Sequence, residues 1–324
     1  AAGNFSIMGD SMIDVMILGA GGVGCVVGGC LSHKGYQTQL VNRQHFTAMA
    51  VAKNGLRLEF DTGIQISQPD AVVTSNARPA KFIMCFTKTH QTEAAIKAIL
   101  PVICKDTIMV SMQNGLGNGS LLARLTGCDV LHGVTMIPAT VLAPAHIRSH
   151  GSHHSWIGPL EISSQRQQAA AKELATMLEQ SGLSTEYLDD VRTKIWQKAC
   201  FNVAMNGVAA LADAAPGLIG DTAPLMVEVH ALADEALAVA ASLGIGVDPK
   251  QVHELIDFAC AEHRYHMPSM MQDIRASRQT EIESLNGYIV EQANAIGLEV
   301  PRNRLINALV QARQSANQFW KDQS

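Results

Sequence analysis

Residues 13–31 read IDVMILGAGGVGCVVGGCL, and no other stretch restricts the fold of this chain as strongly. A short, mostly apolar run leads straight into Gly19, Gly21 and Gly24, and the chain stays apolar to Leu31 before Gly35 closes the segment. That order is strand, glycine-rich turn, helix and C-terminal glycine. Each glycine has its own reason: Gly19 permits a tight turn, Gly21 lets backbone approach a pyrophosphate, and Gly24 lets the helix pack closely on the strand. The free N–H groups of the helix start then face phosphates. A lone GxGxxG is weak, but one that follows a strand and opens a helix has the context of a dinucleotide site. The same segment is uncharged from Val15 to Leu31, long enough to suggest a membrane span or signal peptide. Six glycines break it, and Asp10 and Asp14 precede it where a signal would be positive, so no membrane association is expected.

The next strand, QTQLVN at 37–42, bears on the coenzyme. An NAD site usually ends this strand in a carboxylate for the ribose 2′-OH, whereas NADP needs a cation for the 2′-phosphate. Here the strand ends in Asn42-Arg43 and no carboxylate follows until Glu59, which favours NADP(H) with Arg43 on the phosphate. The plain alternative for Arg43 is a surface charge. Further strands are predicted at 55–60, 82–86, 107–112 and 129–134, with helices at 90–100 and 117–125. This alternation predicts an α/β fold with a doubly wound sheet, which keeps its ligands at the carboxyl ends of the strands. Thr87-Lys88 and Gln113-Asn114-Gly115 occupy two such ends. Lys88 reads as a ligand for phosphate or ribose, or as a helix cap; Asn114 reads as a ligand, or as a turn with Gly115.

A length of 324 residues favours two domains. After a helix at 165–181 and a strand-like TEYL, the pattern from Asp189-Asp190 onward is helical only, at 190–213, 222–243, 249–265, 268–275, 279–297 and 302–319. The switch predicts a dinucleotide-binding domain at 12–189 and an all-helical domain at 190–324. Residues 1–11 lack periodicity and are set aside as a tail. A net charge of -5, without a basic patch interleaved with aromatics, argues against nucleic acid and for a small-molecule partner. Seven cysteines without a CxxC pair suit reduced, buried thiols and a cytoplasmic location. HIRSHGSHHSW at 146–156 gathers His146, His150, His153 and His154, a pattern that could suggest zinc. With no Cys or carboxylate close in sequence, a hairpin around Gly151 with solvent-facing imidazoles is expected instead, and no metal.

KIWQKACFNVAMN, residues 194–206, places Lys194, Lys198, Asn202 and Asn206 at steps of four. On a helix these form one polar stripe, and the remaining directions are apolar. A solvated face is the plain reading. Burial all round the stripe instead predicts the wall of a cleft that holds a polar ligand, because such groups left unpaired cost several kcal/mol. Lys194, at the outer end, is expected at the surface. In PSMMQDIRASRQTEIESLNG, 268–287, Asp273 and Arg275 could pair, Glu281 could be a solvated face and Ser269 could be a helix N-cap.

At this point the chain resembles the ketopantoate reductase (2-dehydropantoate 2-reductase) family. The resemblance rests on GAGGVG at 19–24, Asn42-Arg43, Thr87-Lys88, QNGLG at 113–117 and IGP at 157–159, and continues with KIWQKACFN at 194–202, SMMQDIRASRQTEI at 269–282 and NG at 286–287. It implies an N-terminal Rossmann-type domain, a helical C-terminal domain, and NADPH-dependent reduction of 2-dehydropantoate to (R)-pantoate on the way to pantothenate. It implies Lys198 as catalytic proton donor, and Lys198, Asn114, Asn202, Asn206 and Ser269 as substrate contacts. It implies Gly19, Ala20, Gly21, Gly22, Val23, Gly24, Arg43, Lys88, Asn114, Ala139 and Glu281 as the coenzyme set. A cleft-side ammonium suits that chemistry, since the ketone oxygen must be stabilised and protonated as hydride arrives, and burial lowers a lysine pKa toward working pH. The sequence departs from the family at His266 and Pro216, where asparagines are usual, which bears on the identity of the 2-oxo acid. The alternatives are therefore an NADP-dependent reductase of a related 2-oxo acid, and a non-catalytic NADP(H) sensor, which would have no need of a proton donor. A homodimer is compatible with the chain but nothing in the sequence demonstrates it.

Overall fold

The structure, a computed structural model, describes residues 12–321, so the tail set aside above lies outside the described residues. The described residues divide into two compact units: 12–113 with 118–191, and 114–117 with 192–321. In chain order the strands are β1 (Ile13–Leu18), β2 (Thr38–Asn42), β3 (Leu56–Phe60), β4 (Gly63–Ser67), β5 (Asp70–Val73), β6 (Ala80–Cys85), β7 (Ile108–Ser111), β8 (Asp129–Thr135), β9 (Thr140–Ala143), β10 (His146–Arg148), β11 (His154–Pro159) and β12 (Ser184–Tyr187). Five helices accompany them: α1 (Gly22–Lys34), α2 (Phe46–Asn54), α3 (Thr89–Ile99), α4 (Asn118–Thr126) and α5 (Gln165–Gln180).

In β1, Val15 and Ile17 are buried toward one layer while Met16 and Leu18 are buried toward the other. A strand covered on both faces needs no polar alternation, which is why it reads as one apolar run. It lies inside an eight-stranded sheet of order β12-β11-β8-β7-β6-β1-β2-β5, parallel throughout except between β8 and β11. With β2 on one side of β1 and β6 on the other, the strand order reverses there, so the carboxyl ends of β1 and β6 form the topological switch point. Side chains of α1 and α5 join the core on one face, and those of α3 and α4 join it on the other.

A second sheet, β4-β3-β10-β9, packs on α1 from the opposite side. Small residues make that fit. A Cβ at Gly28 would stand 2.4 Å from Leu40 of the large sheet, and one at Gly29 would stand 2.8 Å from Leu58 of the small one. The predicted hairpin around Gly151 does not form: β10 pairs with β3 and β9, whereas β11 pairs with β8 and β12. Ile147 is buried with the α1 layer and Ile157 lies in the large sheet, so residues 149–153 cross between sheets rather than fold back. The imidazoles are correspondingly engaged: His146 meets Glu59 at 2.7 Å and His153 meets Ser149 at 2.8 Å.

The second unit contains α6 (Arg192–Ala212), α7 (Pro216–Asp221), α8 (Ala223–Ser242), α9 (Pro249–Glu262), α10 (Ser269–Arg275), α11 (Asn286–Ile296) and α12 (Pro301–Lys321). Their starts follow local chemistry: Asp248 caps α9 by accepting from the Lys250 N–H, with Pro249 in the first turn. The helix predicted from 279 begins only at Asn286. Before it, Ser277 holds a φ of 54° and buried Asp273 takes an ion pair from Arg278 at 2.9 Å, which keeps the chain irregular. Of the two residues considered as a pair, Asp273 thus takes Arg278 and Arg275 bonds Asp213 at 2.7 Å.

Candidate active site

The glycine-rich loop leaves β1 with Gly19 at a φ of +84°, a left-handed conformation open to glycine at little cost. Space gives a second reason, since a Cβ there would lie 2.7 Å from the Thr87 side chain and 2.8 Å from its backbone nitrogen. The first turn of β6's loop therefore presses directly on the first turn of the glycine loop. Gly21 is the reverse case: it is exposed, and a Cβ on it would meet nothing within 4 Å. The first bond of α1 runs from the Cys25 N–H to the Gly21 carbonyl at 2.8 Å, so the amides of Gly22, Val23 and Gly24 are helix-end donors on that open side. Such a cradle fits the pyrophosphate of a dinucleotide.

Its neighbours are fixed by further contacts. Ala139 stands over the first turn of α1, 3.0 Å from where a Gly22 Cβ would be. Ala20 accepts from the Asn42 side chain at 3.2 Å, which ties the loop to the end of β2, and Arg43 follows, exposed. Lys88 is half-buried immediately before α3. Beneath it, buried Gln113 donates to the Thr87 carbonyl at 2.8 Å and to Thr92 Oγ1 at 2.7 Å, and accepts from Ser111. Gln113 was not singled out from the sequence; its place at a strand end beside Asn114 was the available signal.

In the second unit the polar stripe runs along α6. Lys198 Nζ donates to Asn114 Oδ1 at 2.8 Å. Asn114 is brought there by segment 114–117, which is held close to the turn before α11. Gly115, at a φ of +86°, has no room for a Cβ against Ser284, and the Leu116 N–H donates to the Ser284 carbonyl at 2.8 Å. Lys198 keeps partial solvent contact, yet protein surrounds it closely enough to lower its pKa to about 8; burial is the larger cause, opposed by the Glu281 carboxylate, which raises it. Asn202 is half-buried and Asn206 buried one and two turns on. The structure therefore brings Asn114 and Glu281 each within range of Lys198, with Asn202 and Asn206 along the same helix.

Ser269 is exposed at the first position of α10, a helix packed on α6, and it caps nothing: α10 has no side-chain cap bond. Pro216 and His266, the two departures from the family pattern, sit near one another. Pro216 opens α7, the next residue's N–H donates to the Arg264 carbonyl at 3.0 Å, and His266 closes the turn that follows. Surrounding protein, and secondarily His263, push the His266 imidazole below its ordinary pKa although the side chain still meets water.

A phosphate cradle at the switch point of a doubly wound sheet, in a chain that also carries a lysine with lowered pKa beside amides, defines a nicotinamide-dependent oxidoreductase. Among the described residues no helix is long and apolar enough to cross a membrane. The chain belongs to the ketopantoate reductase PanE/ApbA family: residues 15–161 match the family itself and residues 190–314 its C-terminal part. It is 30% identical to the 2-dehydropantoate 2-reductase of Pyrococcus horikoshii over 302 residues, covering 93% of this chain and 97% of the relative. The Archaeoglobus fulgidus protein of the same name is 29% identical, over 93% and 98% of the two chains. Among solved structures, a PanE/ApbA family ketopantoate reductase from Ralstonia eutropha superposes with a TM-score of 0.86 at 28% identity, over 94% of this chain and 100% of that one. The ternary structure of D-mandelate dehydrogenase with NADH and anilino(oxo)acetate does so with a TM-score of 0.87, also at 28% identity, over 94% and 99%.

Proposed function

We propose that this protein reduces 2-dehydropantoate to (R)-pantoate with NADPH, in the cytoplasm, with residues 12–189 as the NADP-binding domain and 190–324 as the helical substrate and catalytic domain, which also contributes Glu281 to the coenzyme. The observation that carries the reading is Lys198, bonded to Asn114 and poised with a pKa of about 8. NADPH, when bound, supplies the hydride. At pH 7 Lys198 is protonated, so its ammonium can attract the ketone oxygen as negative charge grows there and then deliver the proton that makes the alcohol. A pKa near 8 eases that delivery compared with an ordinary lysine. The oxidised direction needs the same group neutral.

Asn202, Asn206 and Ser269 are assigned to the substrate's hydroxyl and carboxylate, as neutral donors that leave the charge of Lys198 available. Gly19 to Gly24 and Ala139 are assigned to the pyrophosphate region. Arg43 is assigned to the 2′-phosphate, and Lys88, Asn114 and Glu281 to the rest of the coenzyme. The free cysteines suit a reducing compartment.

A second reading has its own support. The likeness to the ternary structure of D-mandelate dehydrogenase with NADH and anilino(oxo)acetate, together with His266 and Pro216, favours an aryl-substituted 2-oxo acid and NADH. One panel separates the two: oxidation of NADPH and of NADH, followed by absorbance, with 2-dehydropantoate, phenylglyoxylate and simple branched 2-oxo acids. The proposal expects the highest kcat/KM for 2-dehydropantoate with NADPH. A higher value for phenylglyoxylate with NADH establishes the second reading, and coenzyme binding without turnover of any acid would leave a sensor.

A further inference from the structure

Asn286 opens α11 in the NG pair that the family resemblance includes and that no step above uses. It is fully buried, as is Asn303 on α12. Asn286 Nδ2 donates to the Val203 carbonyl and to Asn303 Oδ1, each at 3.0 Å. Asn303 Nδ2 in turn donates to Glu235 Oε2 at 2.8 Å and to the Leu232 carbonyl at 3.2 Å. The carboxylate of Glu235 also accepts the backbone N–H groups of Arg302 and Asn303, at 3.0 Å each, where a helix start favours negative charge. Both oxygens of Glu235 already accept backbone N–H groups and the Leu232 carbonyl can only accept, so the amide of Asn303 has one allowed orientation, with its oxygen toward Asn286. That oxygen in turn obliges Asn286 to present its nitrogen. The polarity of the whole chain, α8 to α12 to α11 to α6, is therefore fixed.

We infer that Asn286 is a positioning residue for the substrate-facing wall of α6, acting through the Val203 carbonyl; this rests on the reading of Lys198, Asn202 and Asn206 given above. Val203 lies inside that wall, next to Asn202 and three residues before Asn206. Within the helix its carbonyl serves residue 207, and Asn286 takes the remaining lone pair. At residue 207 a Cβ would fall 2.4 Å from Ile306 Cγ2, so α12 presses on α6 there. The turn 203–207 is thus held from two sides, and the amides of Asn202 and Asn206 inherit its position.

The test compares Asn286→Ser, too short to span both acceptors, with Ile289→Val, a buried apolar trimming on the same helix, at matched loss of melting temperature. Asn303→Ala, which leaves Asn286 without its orienting partner, is the second variant. Expected for Asn286→Ser is a roughly 10-fold or greater rise in KM for the 2-oxo acid, as for losing a buried bond, while the NADPH dissociation constant from fluorescence stays within about twofold. Asn303→Ala shifts KM in the same direction by less, and Ile289→Val leaves both constants near wild type. Deuterium exchange at residues 203–207 is faster in both asparagine variants. Unchanged KM and exchange in Asn286→Ser, with wild type active, overturn the inference. If wild type reduces no 2-oxo acid, the functional reading fails instead; the exchange readout then decides alone, and normal protection at 203–207 overturns the role of Asn286.

Discussion

Replacing Lys198 by methionine should make the protein more stable at neutral pH, and the gain should reverse in alkali. Folding takes this ammonium from an ordinary pKa of 10.5 to about 8, chiefly by burial. At about 1.4 kcal/mol per pH unit the difference corresponds to roughly 3 kcal/mol of destabilisation, reduced to about 2 because part of the side chain still meets water. Methionine, of similar length and without charge, removes that cost but forfeits the bond to Asn114, worth about 1 kcal/mol. The net expectation at pH 7 is a gain of about 1 kcal/mol. The sign follows from linkage: the cost is fully present below the folded pKa of about 8 and fades as pH rises to 10.5, because the unfolded chain holds the proton longer. Near pH 10.5 only the lost hydrogen bond remains, and the variant becomes the weaker protein. Urea unfolding of both proteins between pH 7 and 10.5 reads this as a crossing of midpoints, and shared titrations of other groups cancel in the difference. A variant weaker than wild type at pH 7, or a difference flat across the range, would refute the reasoning.

Turnover should move with the same group. Lys198→Ala is expected to lower kcat by about 10² to 10⁴ while NADPH still binds, and wild-type ketone reduction should fall as pH rises above about 8, both read by steady-state kinetics. Arg43→Ala should weaken NADPH by about 10- to 100-fold and NADH hardly at all, by fluorescence titration, since only NADPH carries the 2′-phosphate. Gly19→Ala meets a φ of +84° and the Thr87 backbone together, so a loss of about 2–4 kcal/mol in denaturant stability is expected, with weaker coenzyme binding. Gln113→Leu removes the side-chain donor to the Thr87 carbonyl, while the Thr92 hydroxyl keeps its bond to the Lys88 carbonyl, and should cost about 1–3 kcal/mol in the same assay.

The glycine loop, the doubly wound order and the helical second half were legible because each rests on local periodicity. A strand buried on both faces writes itself as IDVMIL, and a helix start writes itself in glycines. The edge strands β4, β5 and β9 and the short α2 and α7 were not foreseen, because short, half-exposed elements carry little hydrophobic pattern. The supposed hairpin shows the same limit from another side, since alternation around Gly151 says that strands exist but not which sheet claims them. Within the candidate site, the stripe on α6 could be read from its spacing. What brings Asn114 to Lys198 could not, because it depends on Gly115 and Leu116 meeting Ser284, some 170 residues further along the chain. The Glu235–Asn303–Asn286 chain was equally hidden: in sequence it is three separate polar residues, and only the packing of three helices joins them.

The close fit of α1 between two sheets limits how the coenzyme preference of such an enzyme can be redesigned. A methyl group at Gly28 would require Leu40 of the large sheet to shift, and one at Gly29 would require Leu56 and Leu58 of the small sheet to shift, so a change of size on this helix is felt in both layers. Libraries aimed at changing the coenzyme should therefore spare residues 22–34 and concentrate on residues 43–45 after β2, which are exposed.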